Sequence, residues 1–156
     1  VVLIDSKYQA TFPLCYTPHM PEPKTKPTKQ TPTAFLKTIE PEEKRTDSKT
    51  LVALFEQATG EKAVMWGTSI VGFGSYEIKK GAQVNKWPLV AFSPRKQNLT
   101  LYILNEEVKK DPSLKQLGKY KISGSCLHIN KLADVDRAVL VGLMKTSFEY
   151  NKKMYT

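Results

Sequence analysis

The run Met65-Trp66-Gly67-Thr68-Ser69-Ile70-Val71-Gly72-Phe73-Gly74-Ser75-Tyr76 restricts the fold of this chain more than any other stretch. Large aromatics stand next to glycines, and apolar residues alternate with small ones over a length too short and too glycine-rich for a helix. Such a pattern predicts a strand, a tight turn and a second strand, with glycines where something approaches the backbone closely. In the second strand the alternation points Ile70, Gly72, Gly74, Tyr76 and Ile78 one way and Val71, Phe73 and Ser75 the other. A second β stretch, Leu89 to Ile103, is built to lie beside it: strands at Leu89–Ser93 and Leu99–Ile103 flank a hairpin loop over Pro94–Asn98.

Elements on either side complete the reading. Thr33 is placed to cap a short turn at Ala34-Phe35-Leu36, and Pro41, Glu42 and Glu43 open a longer helix that Gly60 closes. Its apolar face is Leu51, Leu54, Phe55 and Ala58. A turn falls at Lys79-Lys80-Gly81, and a broken helix over Asn105–Gly118 is anchored by Leu114 and Leu117. Short strands follow at Tyr120–Ile122 and Ser125–Ile129, and a last helix starts near Asp134 with a stripe of Val135, Val139, Leu140, Leu143 and Phe148. Helix, antiparallel strands and helix again define an α+β fold, an antiparallel sheet with helices packed on one face.

Length allows one domain with a genuine core, over residues 34–150. Residues 1–33 form a proline- and lysine-rich extension, with Pro13, Pro18, Pro21, Pro23, Pro27 and Pro32 breaking regular structure. Tyr8, Phe12, Leu14 and Tyr16 are costly to leave in water, so this arm is expected to lie across the domain or a partner. Residues 151–156 read as a basic tail. No run reaches the roughly 18 to 20 apolar residues of a membrane span. Cys15 and Cys126 are too few for a disulfide scaffold, which points to an intracellular protein, cytoplasmic or organellar, from which a targeting segment has room to have been removed.

The formal net charge is +9, distributed as +2 over residues 1–33, −2 over 34–61 and +9 over 62–156. Lys109, Lys115, Lys119, Lys121 and Lys131 supply a candidate positive face for a protein or ribonucleoprotein partner. Scattered lysines give salt-sensitive binding without sequence recognition. The alternative is a solubilising surface. Around the hairpin, Arg95, Lys96, Ser69 and Ser93 stand with Trp66, Tyr76 and Tyr102. A guanidinium, an ammonium, hydroxyls and aromatic faces beside glycines suit a flat anion. The alternative is that the aromatics pack and the cations decorate a loop tip. Cys126 and His128 share a strand face at i, i+2, but nothing in the sequence orients them as a nucleophilic pair. Dinucleotide and Walker loops are lacking, so no catalytic set is identified.

Val64–Tyr76 resembles the signature of the YdhG-like domain family, a domain of unknown function. Phe92-Ser93-Pro94-Arg95-Lys96-Gln97-Asn98-Leu99-Thr100-Leu101-Tyr102 resembles its second block. Leu117–Lys121, Ser125–Ile129 and Leu132–Asp136 resemble its third, so that the likeness runs over residues 34–148 in order. The resemblance implies a frataxin-like two-layer sandwich and a non-enzymatic binding role. One bacterial member is described as a frataxin-like iron chaperone for iron–sulfur cluster assembly. It implies iron as a ligand, for which Glu40, Glu43 and Asp47, with Glu42, supply oxygen donors in the one net-acidic segment. Lys44, Arg45 and Lys49 are interleaved with these acids and oppose a cation there. A solvated helix N-terminus with dipole-favoured acids is the alternative.

Overall fold

The computed structural model describes Val2–Leu3 and residues 26–156. Four helices and seven strands follow in the order β1 (Val2–Leu3), α1 (Pro32–Lys37), α2 (Glu42–Thr59), β2 (Ala63–Trp66), β3 (Ile70–Lys80), β4 (Gln83–Pro94), β5 (Leu99–Tyr102), α3 (Glu106–Lys110), β6 (Lys121–Ser123), β7 (Cys126–Ile129) and α4 (Arg137–Tyr155). Short 3-10 turns at Pro112–Gln116 and Leu132–Asp134 carry the chain from α3 to β6 and from β7 to α4. The sheet runs β1-β3-β4-β5-β7-β6, with β2 alongside the first half of β3. Among the described residues the strands pair antiparallel except β1, which lies parallel to β3 at Val2↔Ile78 and Leu3↔Lys79. This is the expected α+β layout.

Phe55 of α2 fixes which face the helices cover. Its ring stacks on Phe73 at 4.7 Å between centroids and lies 5.6 Å from Phe92. Those rings, Met65, Val71, Leu99, Leu101, Leu127 and Ile129 join Leu51 and Leu143, both fully buried, in one continuous core. Phe35 and Leu36 of α1 and Val108 of α3 belong to the same core, so all four helices share one side of the sheet. The expected neighbour relation also holds: β3 pairs with β4 from Val71↔Phe92 to Lys80↔Gln83, and β4 with β5 from Ala91↔Tyr102 to Pro94↔Leu99.

Several boundaries move, each for a local reason. Thr31, not Thr33, caps α1: its hydroxyl accepts from the Ala34 amide at 3.2 Å, and Pro32 occupies the first turn, where its missing N–H costs nothing. Backbone pairing with the sheet therefore starts ahead of residue 34. Lys26–Thr28 already run along the free edge of β2, the Thr28 amide donating to Met65 O (2.8 Å) and the Gly67 amide to Lys26 O (3.0 Å). The remainder of the predicted arm, including Tyr8, Phe12, Leu14, Cys15, Tyr16 and His19, lies outside the described residues. The second strand of the long hairpin starts at Gln83, six residues before the apolar run at Leu89, because pairing with β3 holds its polar half. Asp136 caps α4 by accepting from the Val139 amide at 3.1 Å, so the last helix starts after Asp134.

The predicted basic tail at 151–156 is in fact the last turn of α4. Asn151 donates to Leu89 O at 2.7 Å, and the Tyr155 ring stacks on Tyr76 with centroids 4.4 Å apart. That stack also overturns the predicted facing of Tyr76. Gly74 adopts φ +67°, a left-handed value that resets the alternation, and places Tyr76 on the helix side with Phe73.

Candidate functional site

The sheet face that carries no helix among the described residues, called the helix-free face below, holds the candidate site. Trp66, Ile70 and Ala91 form a small apolar cluster there, with Tyr102 packed at its rim. The Trp66 indole packs against Gly72. A β-carbon at position 72 would stand 2.5 Å from Trp66 Cδ1, 2.6 Å from Nε1 and 2.7 Å from Pro88 Cβ. The buried Nε1–H has no hydrogen-bond partner among the described residues.

Beside this cluster, strand register builds a polar row. Ser93, Thr100, His128 and Lys121 are successive cross-strand partners on β4, β5, β7 and β6. Antiparallel partners project to the same side, so these four side chains stand in line on the helix-free face. Continuing the register gives a second row of Ala91, Tyr102, Cys126 and Ser123. Neither row contains an acid. Ser93 Oγ donates to Ser69 O (2.7 Å), which ties β4 to the turn after Trp66. Thr100 Oγ1 donates to Asn98 Oδ1 (2.8 Å) and lies 3.1 Å from His128 Nδ1.

Arg95 reaches this face from the hairpin loop, donating from Nη2 to Tyr102 Oη at 2.9 Å. The loop that presents it is held twice. The Arg95 amide donates to Asn98 O (2.8 Å), closing the turn. From α2, Lys44 Nζ donates to the carbonyl oxygens of Arg95 (2.6 Å) and Lys96 (2.7 Å). The charge of Arg95 acts on the imidazole of His128: partial burial first, then that guanidinium, hold His128 below the ordinary imidazole pKa.

Of the sequence-predicted ligand residues, Trp66, Ser93, Arg95 and Tyr102 gather here. Ser69 contributes its carbonyl, and Lys96 lies exposed at the loop, its carbonyl bound by Lys44. Tyr76 is removed to the other face by Gly74. His128, Thr100 and Lys121 join the site; of these Lys121 was expected on a different surface, and His128 was weighed only as a partner of Cys126. The signal for His128 was its i, i+2 relation to Cys126; what turns it into a site residue is the pairing of β5 with β7.

The remaining candidates do not assemble. Asp47 Oδ2 accepts from the Leu132 amide at 3.1 Å, pinning the turn before α4 to α2, while Glu40 and Glu43 are exposed. Among the described residues no three His, Cys, Asp or Glu side chains come together to hold a metal ion. The lysine face divides. Lys109 projects from the helix layer, 3.7 Å from Glu106, whereas Lys121 stands on the opposite face of the sheet. No helix of the described residues is long and apolar enough to cross a membrane. Comparison with family models, with curated proteins and with solved structures finds no match.

Proposed function

We propose that this chain is a non-enzymatic binding protein, YdhG-like and frataxin-like in build, that takes a small anion on the helix-free face of its sheet. The observation that carries this reading is the meeting of the Arg95 guanidinium, the Tyr102 hydroxyl, the His128 ring and the Lys121 ammonium on one stretch of sheet whose strand residues include no acid among those described. A guanidinium presented by a clamped loop offers a fork of donors to an oxyanion, and charge-assisted bonds of that kind contribute about 1.5–3 kcal/mol each. The frataxin-like description is supported by two long helices, α2 before β2 and α4 after β7, packing side by side on one face of an antiparallel sheet. Iron suits this surface poorly, because it carries two cations, Arg95 and Lys121, and no carboxylate among the described strand residues. Docking of a ribonucleoprotein on one lysine face draws no support from lysines split between two faces.

Calorimetric titration of the full chain with pyrophosphate tests the reading. Arg95→Ala is expected to weaken binding at least tenfold, while Arg137→Ala, an exposed cation at the start of α4, leaves it unchanged. Equal losses in both variants, or no binding by the unsubstituted chain, would refute it.

A further inference from the structure

Two contacts fix the direction in which α4 crosses the sheet. A β-carbon at Gly74 would stand 3.0 Å from the Phe148 ring, and two residues further along β3 the Tyr76 ring stacks on Tyr155 at 4.4 Å. Helix and strand therefore run the same way, and the last turn of α4 ends on the side toward which the β3–β4 hairpin projects. That hairpin continues beyond Tyr76↔Trp87 to Lys80↔Gln83, four residues or about 13 Å. The pole so formed lies at the opposite end of β4 from Arg95 and shares no residue with the anion site.

Positive charge collects at this pole. Residues 77–86 hold three lysines and one acid, and residues 145–156 again hold three lysines and one acid. Residues 105–137, by contrast, set seven basic groups against five acids. Of the two acids at the pole, Glu77 is paired with Lys86 at 3.4 Å, and Glu149 lies one helical turn before Lys152 and Lys153. Lys79, Lys80, Lys152 and Lys153 are all exposed.

A second observation is independent of charge. Four large apolar side chains stand exposed among the described residues, and two of them are at this pole. Val84, 49% exposed, is the cross-strand partner of Lys79, and Met154, 40% exposed, follows Lys153. Single-stranded nucleic acid takes much of its affinity from bases laid on open aromatic faces. Here Tyr76, Trp87 and Tyr155 are half-buried, and the side chains that protrude are aliphatic. Lysines around protruding aliphatic groups match an anionic bilayer instead: its surface potential draws the lysines, and its headgroup layer accepts the apolar side chains.

We propose that this pole docks on an anionic lipid bilayer, with Lys79, Lys80, Lys152 and Lys153 against the headgroups and Val84 and Met154 entering the headgroup layer. Each lysine brought near such a surface tightens binding roughly fivefold. Four of them together favour anionic over neutral lipid by on the order of several hundredfold. The contact is peripheral and weakens as salt rises.

Flotation of the full chain with vesicles, at about 0.15 M salt, tests the proposal. The chain is expected to float with vesicles of phosphatidylcholine and phosphatidylserine and to stay behind with phosphatidylcholine alone. Lys79→Gln, Lys80→Gln, Lys152→Gln and Lys153→Gln together are expected to weaken binding at least a hundredfold. Lys109→Gln, Lys110→Gln, Lys115→Gln and Lys119→Gln together remove the same net charge and are expected to weaken it less than fivefold. Val84→Ser is expected to weaken binding severalfold with its salt dependence unchanged, as loss of an uncharged contact requires. Equal losses in the two lysine variants reduce the effect to net charge and overturn the proposal, as does failure to bind the anionic vesicles. Preference for a single-stranded oligonucleotide over those vesicles, lost in the same pole variant, overturns it in favour of nucleic acid.

Discussion

Substituting Gly72 by alanine tests the packing on which the helix-free face depends. The added β-carbon would lie 2.5 Å and 2.6 Å from two indole atoms of Trp66 and 2.7 Å from Pro88 Cβ, separations that packed carbon atoms do not adopt. Pro88 is held in β4 opposite Ser75, and β3 is paired on both sides, so the backbone has little room to yield. The indole must move. Trp66 is 2% exposed, and a tryptophan buries roughly 200–250 Å². Exposing a quarter of that area costs roughly 1.5 kcal/mol at about 25 cal/mol per Å². Residual overpacking adds about 1 kcal/mol. Replacing glycine within a strand returns roughly 0.5–1 kcal/mol of chain entropy. The net expectation is a loss of about 2 kcal/mol, or about 1 M in the urea midpoint for a slope near 2 kcal/mol/M. The same titration in a Trp87→Phe background, where Trp66 is the one tryptophan, is expected to show a red-shifted native emission. Gly60→Ala is the control: φ there is +73° but a β-carbon meets nothing within 4 Å, so the cost is conformational, about 1 kcal/mol, with no change in emission. An unchanged midpoint and spectrum for Gly72→Ala would refute the placement of Trp66 on the glycine.

Two further substitutions probe the helix layer. Gly142 lies mid-helix in α4, and a β-carbon there would meet nothing within 4 Å, so Gly142→Ala is expected to raise stability by roughly 0.5–1 kcal/mol in the same denaturation assay. Asp47→Ala leaves the Leu132 amide without its acceptor and is expected to cost roughly 1–2 kcal/mol, whereas Asp47→Asn, whose carbonyl still accepts, restores most of it. Loss of iron binding with stability unchanged in Asp47→Ala would instead assign that carboxylate to a metal.

The fold was legible where periodicity and punctuation agree. Leu51 and Phe55 at helical spacing, Gly60 after the last turn, and the paired runs around Phe73 and Phe92 led directly to a helix on a β meander. Facing was legible only as far as Gly74. Period-two alternation assumes extended backbone throughout, and one residue at φ +67° sends Tyr76 to the opposite side from the prediction. The polar half of β4 was unreadable for another reason: Gln83–Lys86 carries no apolar pattern and is a strand because β3 continues past the rest of the sheet to pair with it. Capping residues were displaced by two positions at both Thr31 and Asp136, since threonines and aspartates cluster there and only hydrogen-bond geometry selects among them.

The site divides along the same line. Arg95 and Tyr102 were legible because they lie only seven positions apart across one hairpin, which brings them together locally. His128 was not, because Thr100 and His128 are 28 residues apart and meet only when the chain leaves the sheet through α3 and returns to place β7, not β6, beside β5. That out-of-order return has a chemical consequence. Had β6 been the neighbour of β5, the polar row could not have run Ser93, Thr100, His128, Lys121. It also explains the role of Lys44, which the charge pattern cast as an obstacle to a cation on α2. From the helix side, its ammonium binds the carbonyls of Arg95 and Lys96 at 2.6 and 2.7 Å, so the loop that carries the guanidinium is anchored through the thickness of the domain. The helix layer thus bears on the opposite face by a specific pair of hydrogen bonds, and the start of α2 holds two turns in place: Lys44 the hairpin, Asp47 the turn before α4.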